Sequence, residues 1–112
     1  MSLTYRIIAP LIVPKLKRGC ESPNMESFMF SWNKNTGEQT IEISDERGSR
    51  FSNGQVSIAE IMQEGTGRRL IDLLNGLYKD WETLYGIIDI NNKKITLIFK
   101  DHVHNTIGIR TY

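Results

Sequence analysis

The chain has one cysteine, Cys20, three prolines and no surplus of charge, since fourteen basic residues stand against thirteen acidic ones for a net charge of +1. A single thiol cannot close an internal disulfide, which suits a reducing compartment and excludes a disulfide-stapled scaffold. A near-neutral balance gives no global field of the kind that draws a protein onto DNA or an anionic membrane. The longest apolar run, residues 7–13, is interrupted by Pro10, and it falls far short of the roughly 20 residues that a spanning helix requires. Lys15, Lys17 and Arg18 follow that run, whereas a secretory leader puts its basic residues first. The expectation is therefore a cytoplasmic chain with no membrane association.

Motifs of high specificity are also missing. EGTGRR at residues 64–69 is a glycine-flanked turn opening a helix, the kind of place where free amides and the helix dipole bind phosphate. It lacks the Gly-Lys-Ser/Thr of a P-loop and the three glycines after a strand of a dinucleotide site, so a joint between helices is the simpler expectation. His102 and His104 would share a side if their strand continued through them. Two histidines fall short of the three or four protein ligands that zinc takes, and Asp101 would project the other way. No metal and no cofactor is expected. The aromatics Phe28, Phe30 and Trp32 could stack bases, yet the basic and glycine-rich partner strand of an RNA-binding sheet is absent. An aromatic stripe opposite a helix reads as core.

What is present is an ordinary globular composition, 39% apolar and 24% charged over 112 residues. That fits one domain, residues 1–112, able to bury roughly 65% of its unfolded surface. Period-two runs mark strands. Phe28, Phe30 and Trp32 share one face, Ile41 and Ile43 another, and NKNTGEQ between them supplies the Asn and Gly of a hairpin loop. Ile88 and Ile90, then Ile95, Leu97 and Phe99, then Ile107 and Ile109 predict a three-strand meander. Asn91 and Asn92 are expected to take the left-handed turn positions between its first two strands. Thr4–Val13 reads as a further strand with Pro10 at an edge or bend. DERGSRFSNG, residues 45–54, reads as a solvated loop.

Ser57 with Glu60 three residues on forms a capping box ahead of Ile58, Ile61 and Met62. A break is expected at Gly65 to Gly67. Leu70, Leu73, Leu74, Leu77, Tyr78 and Trp81 then recur at spacings of three and four, an amphipathic helix that would cover the sheet. Strands segregated from helices define an α+β fold: an antiparallel sheet of about five to six strands, ending in the meander, packed on one or two helices.

Of three function classes, catalysis is weakened by the missing motifs and nucleic-acid binding by the charge balance. Protein binding needs only a shaped surface. In size, expected compartment and poverty of motifs the chain resembles the small cytosolic immunity proteins that bacteria pair with toxins of contact-dependent growth inhibition systems. The resemblance carries over no binding positions. It implies a monomer or weak dimer, with no catalytic residues, that occludes the active site of one cognate toxin through complementary charge. Nucleic-acid-cleaving toxins present basic clefts, so the candidate partner-binding residues are the acids Asp45, Glu46, Glu60, Glu64, Asp72, Asp80 and Glu82. The alternative is an RNA- or DNA-associated accessory protein using the basic N-terminal loop with Lys93, Lys94, Lys100 and Arg110. Those basic residues lie in two segments distant along the chain, which argues against it. A small-ligand enzyme stands third.

Overall fold

Hairpin chemistry shapes the first half of the sheet. Asn33 accepts hydrogen bonds at its Oδ1 from the backbone N–H groups of Asn35 and Thr36 at 2.8 and 3.0 Å, and Gly37 adopts φ +79°, a left-handed angle open to glycine. The computed structural model describes residues 4–51, 56–63 and 67–112. In chain order these form α1 (Tyr5–Gly19), β1 (Ser27–Asn33), β2 (Gln39–Asp45), β3 (Gly48–Phe51), α2 (Ile58–Gln63), α3 (Gly67–Leu77), β4 (Thr83–Asp89), β5 (Lys94–Lys100) and β6 (Thr106–Thr111). The architecture is α+β, with the strands in one antiparallel sheet of order β3-β2-β1-β4-β5-β6 packed against helices.

The predicted hairpin is β1–β2 and the predicted meander is β4–β5–β6. Their union is the long-range pairing of β1 with β4, which opposes Phe28 to Ile88, Phe30 to Gly86 and Trp32 to Leu84. All of these side chains, with Ile41, Ile43, Ile95, Leu97 and Phe99, are buried on one side of the sheet. Gly86 faces the same side. A Cβ there would lie 2.1 Å from the Phe30 ring, so the ring occupies the space a side chain would take. Trp81, expected in the core, is 1% exposed and meets Trp32 and Phe99 with ring centroids 6.3 and 5.6 Å apart.

The N-terminal segment differs from expectation. Residues 5–19 are helical, with Pro10 and Pro14 inside the helix, instead of a strand over Thr4–Val13. Ile8, Ile12 and Leu16, with Ala9 and Val13, make a buried stripe at i, i+4 spacing that outweighs the strand preference of the β-branched residues. A proline in a helix interior costs about 3 kcal/mol, in part by stranding a carbonyl one turn back. Here both prolines, four residues apart, sit on the exposed side, as does Arg6, where water reaches the stranded groups.

Two smaller corrections concern the sheet. The expected loop at residues 45–54 contains β3, a four-residue edge strand whose Arg50 opposes Ile43. Ile107 and Ile109 do not share a face: a register shift between Phe99 and Lys100 leaves Ile107 against the core and Ile109 59% exposed. In the β4–β5 turn the left-handed residue is Lys93, φ 53°, because Asp89 holds Asn92 by its backbone and side-chain amides at 3.1 and 2.7 Å. The break expected at Gly65 to Gly67 falls mainly outside the described residues; α2 ends at Gln63 and α3 begins at Gly67. Ser57 caps α2, accepting from the Glu60 N–H at 3.2 Å. Gln39 fastens the same segment to β2, accepting from the Ile58 N–H at 2.7 Å and donating to the Val56 carbonyl at 2.6 Å.

Leu74 is 1% exposed at the centre of the α3 stripe, so Leu74→Ala should cost about 2–5 kcal/mol in urea unfolding. Gly86→Val forces the Phe30 ring from its place and should cost about 1–3 kcal/mol. Two variants as stable as the parent would contradict the assignment of the helix face and of the β1–β4 register.

Candidate functional site

The two faces of the sheet differ in what covers them. The helices lie over the face bearing Phe28, Phe30 and Trp32, while the opposite face is open among the described residues. Strand alternation puts Met29 of β1, Tyr85 and Ile87 of β4, Ile98 of β5 and Ile109 of β6 on that open face. The register makes them contiguous: Met29 opposes Ile87, Tyr85 opposes Ile98, and Ile98 opposes Ile109. Phe51, 70% exposed, lies on the same face and is separated from Met29 by Glu42. Of the large exposed hydrophobics among the described residues, only Val103 lies elsewhere, in the β5–β6 turn.

Around this strip the face is rich in hydroxyls. Ser31 and Thr40 oppose each other with oxygens 2.7 Å apart. They line a hollow of about 490 Å³ with Asn33, Thr83, Tyr85 and His104. The Tyr85 hydroxyl lies 3.3 Å from His104 Nε2, and Lys100 Nζ stands 5.3 Å from the Tyr85 ring centroid. His104 thus pairs with a phenol, while the Ser31 hydroxyl pairs with Thr40. The arrangement offers hydrogen bonds and apolar contact, which is recognition chemistry.

The histidines occupy a turn. β5 ends at Lys100, Asp101 accepts from the N–H groups of Val103 and Asn105, and His104 takes φ 66°, so the alternation expected for His102 and His104 does not apply. Among the described residues no group of three or more His, Cys, Asp or Glu side chains could hold a metal ion. Nor is any described helix long and apolar enough to cross a membrane.

The acids do not gather in one patch. Asp45 is buried, its side chain 2% exposed. It accepts both arms of the Arg50 guanidinium at 2.8 and 2.9 Å, the Ser22 hydroxyl, and the Arg47 N–H at 2.8 Å. This bidentate pairing, with the Ser22 and Arg47 hydrogen bonds, holds the Asp45 carboxyl well below the usual carboxylate range. Glu46 is exposed in the β2–β3 turn beside it, while Asp80 and Glu82 sit at the other end of the sheet, about 20 Å away by strand length. There they lie near Lys34, whose ammonium stands 4.0 Å from the Trp81 ring centroid and donates to Asn75 at 3.2 Å. Burial lowers the Lys34 pKa, and those two acids oppose the shift. Glu60 shares a small hollow with Lys15 and Arg18, and Asp72 is exposed on α3. Glu64 lies outside the described residues.

The basic residues also redistribute. Lys17 of α1 and Lys93 of the β4–β5 turn, 76 positions apart in sequence, line one groove with Arg6. Distance along the chain therefore does not translate into distance in the fold. Arg110 is drawn off to the Tyr78 hydroxyl at 3.1 Å and Lys100 to the open sheet face. Sequence reasoning missed the open strip. Its signal was there in FMF and GIID, where Met29 and Ile87 make both strand faces apolar.

No protein-family model, curated protein or solved structure matches this chain.

Asp45 links the segment after α1 to β2 and β3, and the sign of its pH dependence follows from its lowered pKa. The unfolded carboxyl titrates near 3.9, so its contribution is complete above about pH 4 and declines as pH falls below that value. Thermal unfolding from pH 7 to pH 2 should show Asp45→Asn already destabilised at pH 7, with a shallower acid decline than the parent. Parallel curves would remove the carboxylate from this role.

Proposed function

We propose that this protein is a protein-binding module, an inhibitor of the immunity class that binds a cognate bacterial toxin in the cytoplasm and occludes its active site. The single observation that supports this reading is the contiguous apolar strip of Met29, Ile87, Tyr85, Ile98 and Ile109 on a sheet face that no described helix covers. Exposed apolar surface ringed by polar groups is characteristic of interaction sites. Six strands spaced about 4.8 Å apart and about 20 Å long give a flat footprint of roughly 500 Å² before side-chain relief is counted. A standard interface takes about 800 Å² from each partner, so flanking loops join the contact. Glu46 at one end of the sheet and Asp80 and Glu82 at the other bracket the face, where they can steer approach to a basic cleft.

Inhibition on this reading needs no catalytic residue, metal or cofactor on the chain. The test is capture by the protein encoded immediately upstream, beside a titration with generic RNA and DNA at physiological salt. Met29→Asp with Ile87→Asp should weaken capture at least a hundredfold and leave the unfolding midpoint within a few degrees of the parent. Unchanged capture by that variant would dismiss the face. Micromolar RNA binding with no protein captured would install the nucleic-acid accessory role instead.

A further inference from the structure

A second surface lies on the helix side of the molecule, and it does not rest on the reading just given. α1 and the β4–β5 turn flank an open groove of about 520 Å³. Its apolar lining comes from Tyr5, Pro10 and Pro14 on the helix and Ile90 opposite. Arg6, Lys17 and Lys93 supply its charge, and an adjoining hollow shares Pro14 and Lys17 and adds Arg18. Glu21, at the far end of that hollow, is the acid lining either one.

The spacing of the charges selects the ligand. Arg6 and Lys17 stand eleven residues apart on one helix, which is about 16 Å of rise. A single phosphate or carboxylate cannot reach both ends. An extended chain covers that distance in about five residues. Between the ends the exposed ridge carries the rings of Pro10 and Pro14, which lack an N–H and offer apolar contact. A nucleic acid of this reach would place bases over the ridge, where an aromatic platform is the usual requirement, and here Tyr5 is the one aromatic ring in the lining. Burial and the nearby Asp89 push the Tyr5 hydroxyl pKa up, so it stays protonated as a hydrogen-bond donor.

We propose that the groove between α1 and the β4–β5 turn binds an extended acidic segment of a partner protein, apolar in its middle and carboxylate-bearing at both ends. The apolar side chains lie on the proline ridge while the carboxylates meet Arg6 at one end of the helix and Lys17 at the other, with Lys93 of the β4–β5 turn across the groove. Binding weakens with salt, because most of these charges are exposed.

The probe is a fluorescein-labelled Asp-Glu-Leu-Val-Leu-Glu-Asp peptide, followed by anisotropy at 50 and 500 mM NaCl. Micromolar binding at low salt, at least tenfold weaker at high salt, is expected. Lys17→Glu with Lys93→Glu should weaken it at least tenfold, and Arg6→Glu alone should weaken it several-fold, with circular dichroism unchanged in both. Met29→Asp with Ile87→Asp should bind the peptide as the parent does, which separates this site from the open sheet face. No binding by the parent, or equal binding by both charge-reversed variants, would overturn the proposal. So would tighter binding of a 12-nucleotide RNA or of phosphatidylglycerol vesicles, or concentration-dependent self-association lost in the Lys17→Glu, Lys93→Glu variant.

Discussion

The pairing of β1 with β4 is the contact on which the rest of the sheet depends. It joins a hairpin from the first half of the chain to a meander from the second, and it does so with Phe30 lying over Gly86. A shift of one residue would invert every side chain of one partner relative to the other. Phe28, Phe30 and Trp32 would then face water while Met29 and Ser31 entered the core. The bare Cα of Gly86 penalises such a slip, because only this register gives the Phe30 ring its space. Both the buried face and the open face follow from that one alignment.

Where a segment's pattern had one period and one covered face, the sequence was legible. The β1–β2 hairpin and the β4–β5 pair carry clean repeats of two, and the structure places them accordingly. α3 follows its repeat of three and four only as far as Leu77, so Tyr78 and Trp81, expected on the same helix, lie in the connection to β4, where Asp80 takes φ 62°. α1 was illegible because two signals conflicted. Ile7, Ile8, Ile12 and Val13 favour strands locally, and prolines at 10 and 14 disfavour a helix, whereas the i, i+4 stripe of Ile8, Ile12 and Leu16 pays off only once α2, α3 and the sheet exist to bury it. β3 was illegible for the opposite reason. Its four residues have no apolar alternation, and Arg50 reaching Asp45 ties it to β2.

Surfaces were less legible than cores. The acids chosen from sequence that lie among the described residues are separated by the fold, with Asp45 enclosed by Ser22, Arg47 and Arg50, Glu46, Asp80 and Glu82 set at opposite ends of the sheet, and Glu60 and Asp72 on helices. The basic residues that looked dispersed are partly brought together, since the β4–β5 turn carries Lys93 to the flank of α1. Charge is weakly coupled to secondary structure, so its spatial grouping depends on tertiary contacts that no local pattern encodes. The apolar strip is different in kind. Met29 and Ile87 break the alternation that a half-covered sheet would otherwise show, and that violation was readable in the strands themselves.

An exposed apolar sheet face invites aggregation unless its edges are protected, and here the edges and the centre are treated differently. At one margin β3 spans four described residues, and at the other β6 is distorted by the register shift at Phe99 and Lys100 and carries Arg110 near its end. Short, irregular or charged edges discourage strand addition. Most of the apolar residues lie instead on β1, β4 and β5 in the middle, extending to Ile109 on β6 and to the exposed Phe51 at the end of β3, with Ser31, Thr40, Thr83 and Thr96 among them. Such a surface resists edge-to-edge growth and leaves face-on contact available. A partner that docks flat across the middle strands can cover the strip while its polar groups meet the hydroxyls, whereas one that adds a strand at either margin would leave most of the strip in water.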